Sequence, residues 1–232
     1  MFINIKDARK HYGEGETLVN ALDGVSLSLN EGRIYVILGP SGSGKSTLLN
    51  MIGGLDSLDS GEITIADRNI SGSDKKKLID YRREDVGFVF QFYNLIPDLT
   101  VQENIEVVSD ISKNPLDIEE VMTALDIEKY RNRFPKELSG GQQQRAAIAR
   151  ALIKNPKILL CDELTGALDS KSSRSVLKFI EKINEQFKTT IIIITHNEAI
   201  ADMADSVIRI KDGRIADYTE NSHKLSAGEL AL

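Results

Sequence analysis

The chain has 232 residues, 41% of them hydrophobic, which is enough for one domain with a subdomain. Its 29 lysines and arginines and 35 aspartates and glutamates give a formal charge of −6, so it is a poor candidate for binding nucleic acid. One cysteine, Cys161, excludes an internal disulfide and indicates a reducing compartment. No signal peptide is evident and no apolar run approaches the roughly 20 residues of a membrane span, so we expect any membrane role to depend on a partner.

Strands and helices alternate along the chain. Residues 2–5 and 25–29 alternate apolar and polar side chains as half-buried strands do, and a glycine-punctuated polar loop is predicted between them at 9–16. Further strands are predicted at 33–38, 61–65, 86–90, 157–161 and 190–195, with a hairpin around Asp212-Gly213.

The helical signals complete a single α/β domain over residues 1–232. Consecutive helices are predicted from about 117 to 153, and an amphipathic helix over 171–187. Residues 219–232 show little pattern, and we expect a loose C-terminal tail there. The order predicts a mostly parallel sheet, an N-terminal antiparallel β layer and an inserted α-helical subdomain at about 92–153.

A phosphate-binding loop is predicted between the strand at 33–38 and the helix that follows it. Residues 39–47 fit G-x-x-x-x-G-K-[ST], which predicts a P-loop NTPase core that cradles the phosphates of a bound nucleotide. We expect Lys45 to reach the β- and γ-phosphates and the Ser46 hydroxyl to ligate Mg²⁺. The alternative, a Gly/Ser-rich surface turn, has no need of Lys-Ser at this offset after a buried strand. The candidate nucleotide-binding residues of this loop are Gly39, Ser41, Gly42, Ser43, Gly44, Lys45, Ser46 and Thr47.

Polar residues end three other predicted strands, at the edge of a parallel sheet where ligands bind. We expect Asp162 to hold the metal and Glu163 to orient or deprotonate the attacking water, with a pair of helix-capping acids as the weaker alternative. His196 is a candidate for contacting the γ-phosphate or that water, although a lone histidine after a strand is usually structural. Gln91 can ligate a metal and hydrogen-bond a water as a neutral amide.

A second anion-binding feature is predicted at residues 138–142, where a serine cap and two glycines open a helix. Such a site is redundant in one chain, because the phosphate loop is already complete. It makes sense if it serves the nucleotide of another copy, in a two-fold dimer with two shared sites. Its candidate residues are Ser139, Gly140, Gly141 and Gln142.

Two aromatic features leave alternatives open. Tyr12 is either a strand-end tyrosine that packs its ring or a flat face for a nucleobase. The loop at 92–97 has many large apolar residues, which either form a contact surface or fold back onto the core.

Taken together, these motifs resemble the ATP-binding subunit of ABC transporters along essentially the whole chain. The resemblance implies that Tyr12 stacks on adenine, that Gln91 couples nucleotide to transporter and that His196 is the switch histidine. It also implies that residues 166–169 communicate across a dimer in which two chains sandwich two ATPs. The chain would then be a Mg²⁺-dependent ATPase bound to an integral-membrane permease at the cytoplasmic face of the cell membrane.

A finer resemblance is to the lipoprotein-release, macrolide-export and antimicrobial-peptide-resistance branch, with the cell-division subunit close by. Residues 53–56, 86–97 and 142–145 carry it. It implies an exporter or a mechanotransmission-type permease. The alternative is an ATP-driven mechanical switch that regulates a cell-wall or cell-division partner without transport.

Two positions depart from the family pattern. Leu164 stands where proline is common, and Asn197 stands where aspartate is common. Neither change removes a catalytic group, so we expect an active enzyme. A non-hydrolysing binding module is disfavoured because Glu163 and His196 are both present.

Overall fold

The computed structural model describes all 232 residues, which form two β-sheets and six α-helices. The strands are β1 (Ile3–Tyr12), β2 (Val19–Leu29), β3 (Ile34–Leu38), β4 (Ser60–Ile65), β5 (Arg68–Asn69), β6 (Val86–Val89), β7 (Ile158–Asp162), β8 (Thr190–Thr195), β9 (Ser206–Lys211) and β10 (Arg214–Glu220). The helices are α1 (Lys45–Ile52), α2 (Lys75–Glu84), α3 (Val101–Asp110), α4 (Ile118–Ala124), α5 (Gly140–Leu152) and α6 (Ser170–Phe187).

The larger sheet is mostly parallel, which confirms the predicted fold class. Its order is β10-β9-β3-β8-β7-β6, and only β10 is antiparallel to its neighbour. Every residue of β3 and β8 is buried, because both faces of the sheet are covered. In β8, Ile191 and Ile193 join the core under the helices, whereas Ile192 and Ile194 join the core shared with the smaller sheet.

The smaller sheet is the expected N-terminal antiparallel layer, with the order β2-β1-β4-β5. The predicted polar loop at 9–16 is wrong in its first half, because β1 continues to Tyr12. Arg9 lies opposite Asp23 on β2, and its guanidinium donates a hydrogen bond to the Asp23 carboxylate at 2.5 Å. Cross-strand pairing of charged side chains therefore sustains a strand that apolar alternation does not reveal.

Helices α3 to α5 lie between β6 and β7 in the chain. A capping box opens α3: the Thr100 N–H donates to the Glu103 carboxylate at 2.7 Å, and the Glu103 N–H donates to the Thr100 hydroxyl at 3.3 Å. Ile105 and Val121 belong to the same buried cluster as one face of the larger sheet, so these helices share its core. No helix of the chain is both long and apolar enough to cross a bilayer.

The C-terminal residues differ from the expected loose tail. Thr219 and Glu220 belong to β10, and the residues after them pack against α6. Ala227 and Leu230 are buried, and the Arg174 guanidinium donates to the Leu230 carbonyl at 2.9 Å. The buried positions of this segment lie in neither a helix nor a strand, so no periodic pattern could reveal them.

Candidate functional site

The loop between β3 and α1 curls around Lys45. The Lys45 ammonium donates to the carbonyls of Gly39 and Pro40, each at 2.8 Å. Burial lowers the pKa of this ammonium, and the nearby charges of Glu163 and Asp162 oppose that shift. A buried ammonium that is held only by backbone carbonyls is a favourable partner for an anionic ligand.

The glycines of this loop divide into packed and open positions. A Cβ on Gly39 would lie 2.2 Å from the Ile210 carbonyl oxygen, and a Cβ on Gly44 would lie 2.2 Å from the Ala21 carbonyl oxygen. Gly42 has a left-handed backbone at φ 76, but a Cβ there would meet nothing within 4 Å. The loop is therefore pressed against β2 and β9 on one side and open at Gly42, where a ligand can approach the backbone.

A groove of about 490 Å³ lies at the carboxyl edge of the larger sheet. It joins the phosphate loop to the polar residues that end β6, β7 and β8, so the structure brings together most of the predicted site residues. One lining residue, Ala21, belongs to none of the sequence motifs and was not predicted. The lining residues are Ala21, Ser41, Gly42, Gly44, Lys45, Ser46, Thr47, Gln91, Asp162, Glu163 and His196.

Glu163 and His196 form a pair across the ends of β7 and β8. The Nδ1 atom of His196 lies 2.9 Å from Oε2 and 3.1 Å from Oε1 of Glu163. Glu163 has a left-handed backbone at φ 51, an unfavourable conformation for a non-glycine residue that occurs mainly where the surrounding structure imposes it. The arrangement holds a carboxylate at the groove with one side fixed by an imidazole.

Asp162 and Ser46 line the groove beside this pair. Burial and the charge of Glu163 raise the pKa of the Asp162 carboxyl, whereas the Ser46 hydroxyl and Lys45 lower it. The Ser46 hydroxyl, the Asp162 carboxylate and the Gln91 amide are oxygen donors that line one groove. Mg²⁺ prefers a site with few protein oxygens, which leaves room for phosphate oxygens and water. This set of oxygen ligands therefore fits that ion.

Cys161 precedes this acid pair in β7 and lies fully buried in the core. Burial raises the pKa of its thiol, and the charge of Asp162 raises it further by a smaller amount. The thiol is therefore a packing group, as the apolar strand around it indicates.

The predicted second anion site lies elsewhere on the chain. Ser139 caps α5: its N–H donates to the Gln142 side-chain oxygen at 2.9 Å, and the Gln142 N–H donates to its hydroxyl at 3.4 Å. A Cβ on Gly140 would lie 2.9 Å from the Tyr93 hydroxyl, and one on Gly141 would lie 3.2 Å from the Ser172 Cβ. None of Ser139, Gly140, Gly141 and Gln142 lines the groove.

The structure shows how Tyr12 and the apolar loop at 92–97 are arranged. Tyr12 is the last residue of β1 and is 42% exposed, so it is a strand-end tyrosine with an accessible ring. In the loop at 92–97, Phe92 is 77% exposed while Leu95 packs against the core. The Arg150 guanidinium on α5 donates to the Tyr93 carbonyl at 3.1 Å and anchors this loop.

The sequence profile of the family described as ABC transporter matches residues 22–166, which is more than half of the chain. The matched region contains the phosphate loop, Gln91, the residues at 138–142 and the Asp162-Glu163 pair. The chain belongs to the ABC transporter family as one of its ATP-binding, ATP-hydrolysing cassettes.

Particular relatives place the chain within that class. The putative ABC transporter ATP-binding protein MG467 homolog of Mycoplasma pneumoniae is 44% identical over 93% of this chain and 65% of its own length. The macrolide export ATP-binding/permease protein MacB of Hyphomonas neptunium is 41% identical over 99% of this chain and 36% of its own length. The chain spans 48% to 67% of the length of the first curated relatives that it matches.

A solved structure shares the whole fold. It is the dimeric, post-hydrolysis state of the ATP-binding cassette MJ0796 bound to ADP and Pi, a protein of Methanocaldococcus jannaschii. The TM-score is 0.84 at 39% identity, over 94% of this chain and 98% of that one. The structural similarity therefore covers nearly the whole chain.

We expect Gly44→Ala to lower the free energy of unfolding more than Gly42→Ala does. A left-handed backbone costs a residue with a Cβ about 1–2 kcal/mol at either position, but only at Gly44 does the new atom meet a carbonyl oxygen, at 2.2 Å. Urea denaturation of the two variants measures the difference. Equal losses would show that the loop can yield at Ala21 and would contradict the tight packing described here.

Proposed function

We propose that the chain is the ATP-hydrolysing subunit that drives a membrane permease of the exporter or mechanotransmission type. One observation carries the proposal: Lys45, the side-chain oxygens of Ser46 and Asp162, and the Glu163–His196 pair converge on a single groove. Phosphoryl transfer needs a cation for the phosphates, oxygen ligands for a metal and a group that positions water. The groove supplies all three.

The nucleotide would lie along the phosphate loop. The N–H groups of the loop and the start of α1 attract the β- and γ-phosphates, and the Lys45 ammonium pairs with them. Ser46, Gln91 and Asp162 would hold Mg²⁺, which when bound offsets the charge that develops on the phosphates. The exposed ring of Tyr12 offers a face on which adenine can stack.

Glu163 acts on the attacking water. Water adds to the γ-phosphorus as the bond to the β-phosphate oxygen breaks, and the proton lost by the water passes to the Glu163 carboxylate. The products are ADP and inorganic phosphate. His196 hydrogen-bonds the same carboxylate, so it orients the base and lies close to the γ-phosphate position.

The site is completed by a second copy of the chain. The helix N terminus at Ser139–Gln142 can bind an anion but does not line the groove of its own chain. A two-fold dimer that places this end of α5 over the partner's phosphate loop gives both features a use. The dimeric state of the related MJ0796 cassette supports this arrangement.

The loop after β6 is the proposed contact with the permease, at the cytoplasmic face of the membrane. Phe92 and Ile96 are 77% and 40% exposed in a loop that begins at Gln91, the residue that would ligate the metal. Exposed large apolar side chains next to a nucleotide site suit a partner that must sense it. The related MacB protein is named an ATP-binding/permease protein, and this chain matches about a third of its length.

We expect Glu163→Gln to abolish ATP turnover, retain ATP binding and accumulate dimer, because an amide cannot accept the proton from water. Phosphate release and gel filtration with ATP and Mg²⁺ measure both effects. The matched control is Glu185→Gln, the same change at an exposed position of α6, which should leave turnover unchanged. Undiminished phosphate release from Glu163→Gln would sink the assignment of the base.

Mixing two inactive variants tests the shared sites. Lys45→Ala disables the phosphate loop and Ser139→Arg blocks the helix N terminus with a bulky, exposed side chain. A mixed dimer has one site in which both features are intact, so a one-to-one mixture should recover up to about a quarter of the wild-type ATPase rate. A mixture as inactive as either variant alone would contradict sites built from two chains.

Capture from membranes tests the partner. Glu163→Gln, loaded with ATP and Mg²⁺, should co-purify a multi-span permease, and adding Phe92→Ser to the bait should remove it while ATP binding is retained. Exchange of an exposed phenylalanine for serine loses apolar contact area without disturbing the core. Recovery of soluble proteins alone would leave the ATPase chemistry intact and refute the membrane partner.

A further inference from the structure

Asp56 has no role in the function described so far, yet it is tightly held beside Tyr12. Its Oδ2 atom accepts a hydrogen bond from the Tyr12 hydroxyl at 2.7 Å. Its Oδ1 atom accepts from the Ser57 N–H at 2.7 Å and from the Lys10 ammonium at 3.3 Å. Because both carboxylate oxygens are engaged, the group is a fixed anchor for the phenol.

The segment at 53–56 brings Asp56 to this position from the end of α1. A Cβ on Gly53 would lie 2.1 Å from the Phe88 ring, so only glycine fits there. Gly54 has a left-handed backbone at φ 63, which ends α1 and turns the chain towards β1. The two glycines thus give a structural reason for the sequence at 53–56, which otherwise served only to indicate the family branch.

Helix α1 therefore has a feature of the nucleotide site at each end. It begins at Lys45, in the phosphate loop, and the turn after Ile52 carries Asp56. An eight-residue helix spans about 12 Å and is stiff on that scale. The position of the Tyr12 ring is consequently tied to the position of the phosphates.

The Tyr12 ring is oriented but remains accessible. The Lys10 ammonium lies 5.1 Å from the ring centroid, and the ring is 42% exposed. Burial and the Asp56 carboxylate raise the pKa of Tyr12 to about 12, with a smaller opposing effect of the Thr47 hydroxyl. The phenol is therefore protonated at neutral pH and remains a hydrogen-bond donor to Asp56.

We propose that Asp56 is a positioning residue for the nucleobase: it fixes the Tyr12 ring at the angle and height that α1 sets relative to the phosphates. The inference rests on the proposed stacking of Tyr12 on adenine. It predicts that Asp56 contributes to the affinity for the base and not to the affinity for the phosphates. The anchor orders the Tyr12 ring before the ligand binds. Without it, binding itself must order the ring, and this cost should appear as a lower affinity.

The same segment supplies a matched control. Asp59 is a second carboxylate of this turn, but it accepts from the His11 N–H at 2.7 Å and lies 2.7 Å from the His11 Nδ1 atom. It makes no hydrogen bond to Tyr12. Asp59→Ala removes an equal charge from the same neighbourhood while the anchor of the phenol remains.

Binding of ATP and of inorganic triphosphate, measured by calorimetry, separates base from phosphate recognition. Asp56→Ala and Tyr12→Phe should each weaken ATP binding about 3- to 10-fold, the loss expected for one hydrogen bond of ordinary net strength, and leave triphosphate binding unchanged. The double variant should be no weaker than either single one, because both remove the same contact. Asp56→Asn keeps an acceptor and should recover part of the loss, and Asp59→Ala should bind ATP as the wild type does.

Other outcomes would overturn the inference. Equal weakening of ATP and triphosphate by Asp56→Ala would assign Asp56 to the general fold of the site, and additive losses in the double variant would uncouple it from Tyr12. Tyr12→Ala distinguishes the failure of this inference from that of stacking itself. If Tyr12→Ala weakens ATP binding and neither Asp56→Ala nor Tyr12→Phe does, the positioning role of Asp56 is refuted and the stacking role of Tyr12 stands. If Tyr12→Ala has no effect, the stacking role also fails.

Discussion

Burial of the central parallel strands on both faces is the constraint on which the site depends. The residues of β3 and β8 have no exposed side at which to place a polar group. Polar chemistry is therefore confined to the strand ends, and parallel strands bring their carboxyl ends to one edge. The phosphate loop, His196, the Asp162-Glu163 pair and Gln91 are four such ends, and they share one groove.

The order of the strands then decides which groups can cooperate. Along the sheet the order is β3, β8, β7 and β6, whereas along the chain it is β3, β6, β7 and β8. His196, late in the sequence, thus follows the strand that lies between the phosphate loop and the acid pair. Its contact with Glu163 exists because β7 and β8 are neighbours. If β7 and β8 were not neighbours, the same residues would lie at the same edge of the sheet, but Glu163 and His196 would not form a pair.

This distinction explains what the sequence could predict. The motif at 39–47, the apolar strands and the polar residues that end them are local patterns, and they were sufficient to predict the fold class and the edge of the sheet at which these polar residues gather. The Glu163–His196 pair and the Tyr12–Asp56 contact depend on strand pairing and on a turn, which no local pattern encodes. The charged end of β1 was missed for the same reason: Arg9 is matched by Asp23 on another strand.

The proposed dimer must form between two chains that repel each other. Each carries a formal charge of −6, and the ATP between them adds further negative charge. At physiological ionic strength such repulsion is screened beyond about 8 Å, so the groups in contact decide the outcome. Those groups are Lys45 and the N termini of α1 and α5, all of which favour an anion. The phosphates would then hold the two chains together, and cleavage of the γ-phosphate would remove part of that link, so that hydrolysis itself favours opening.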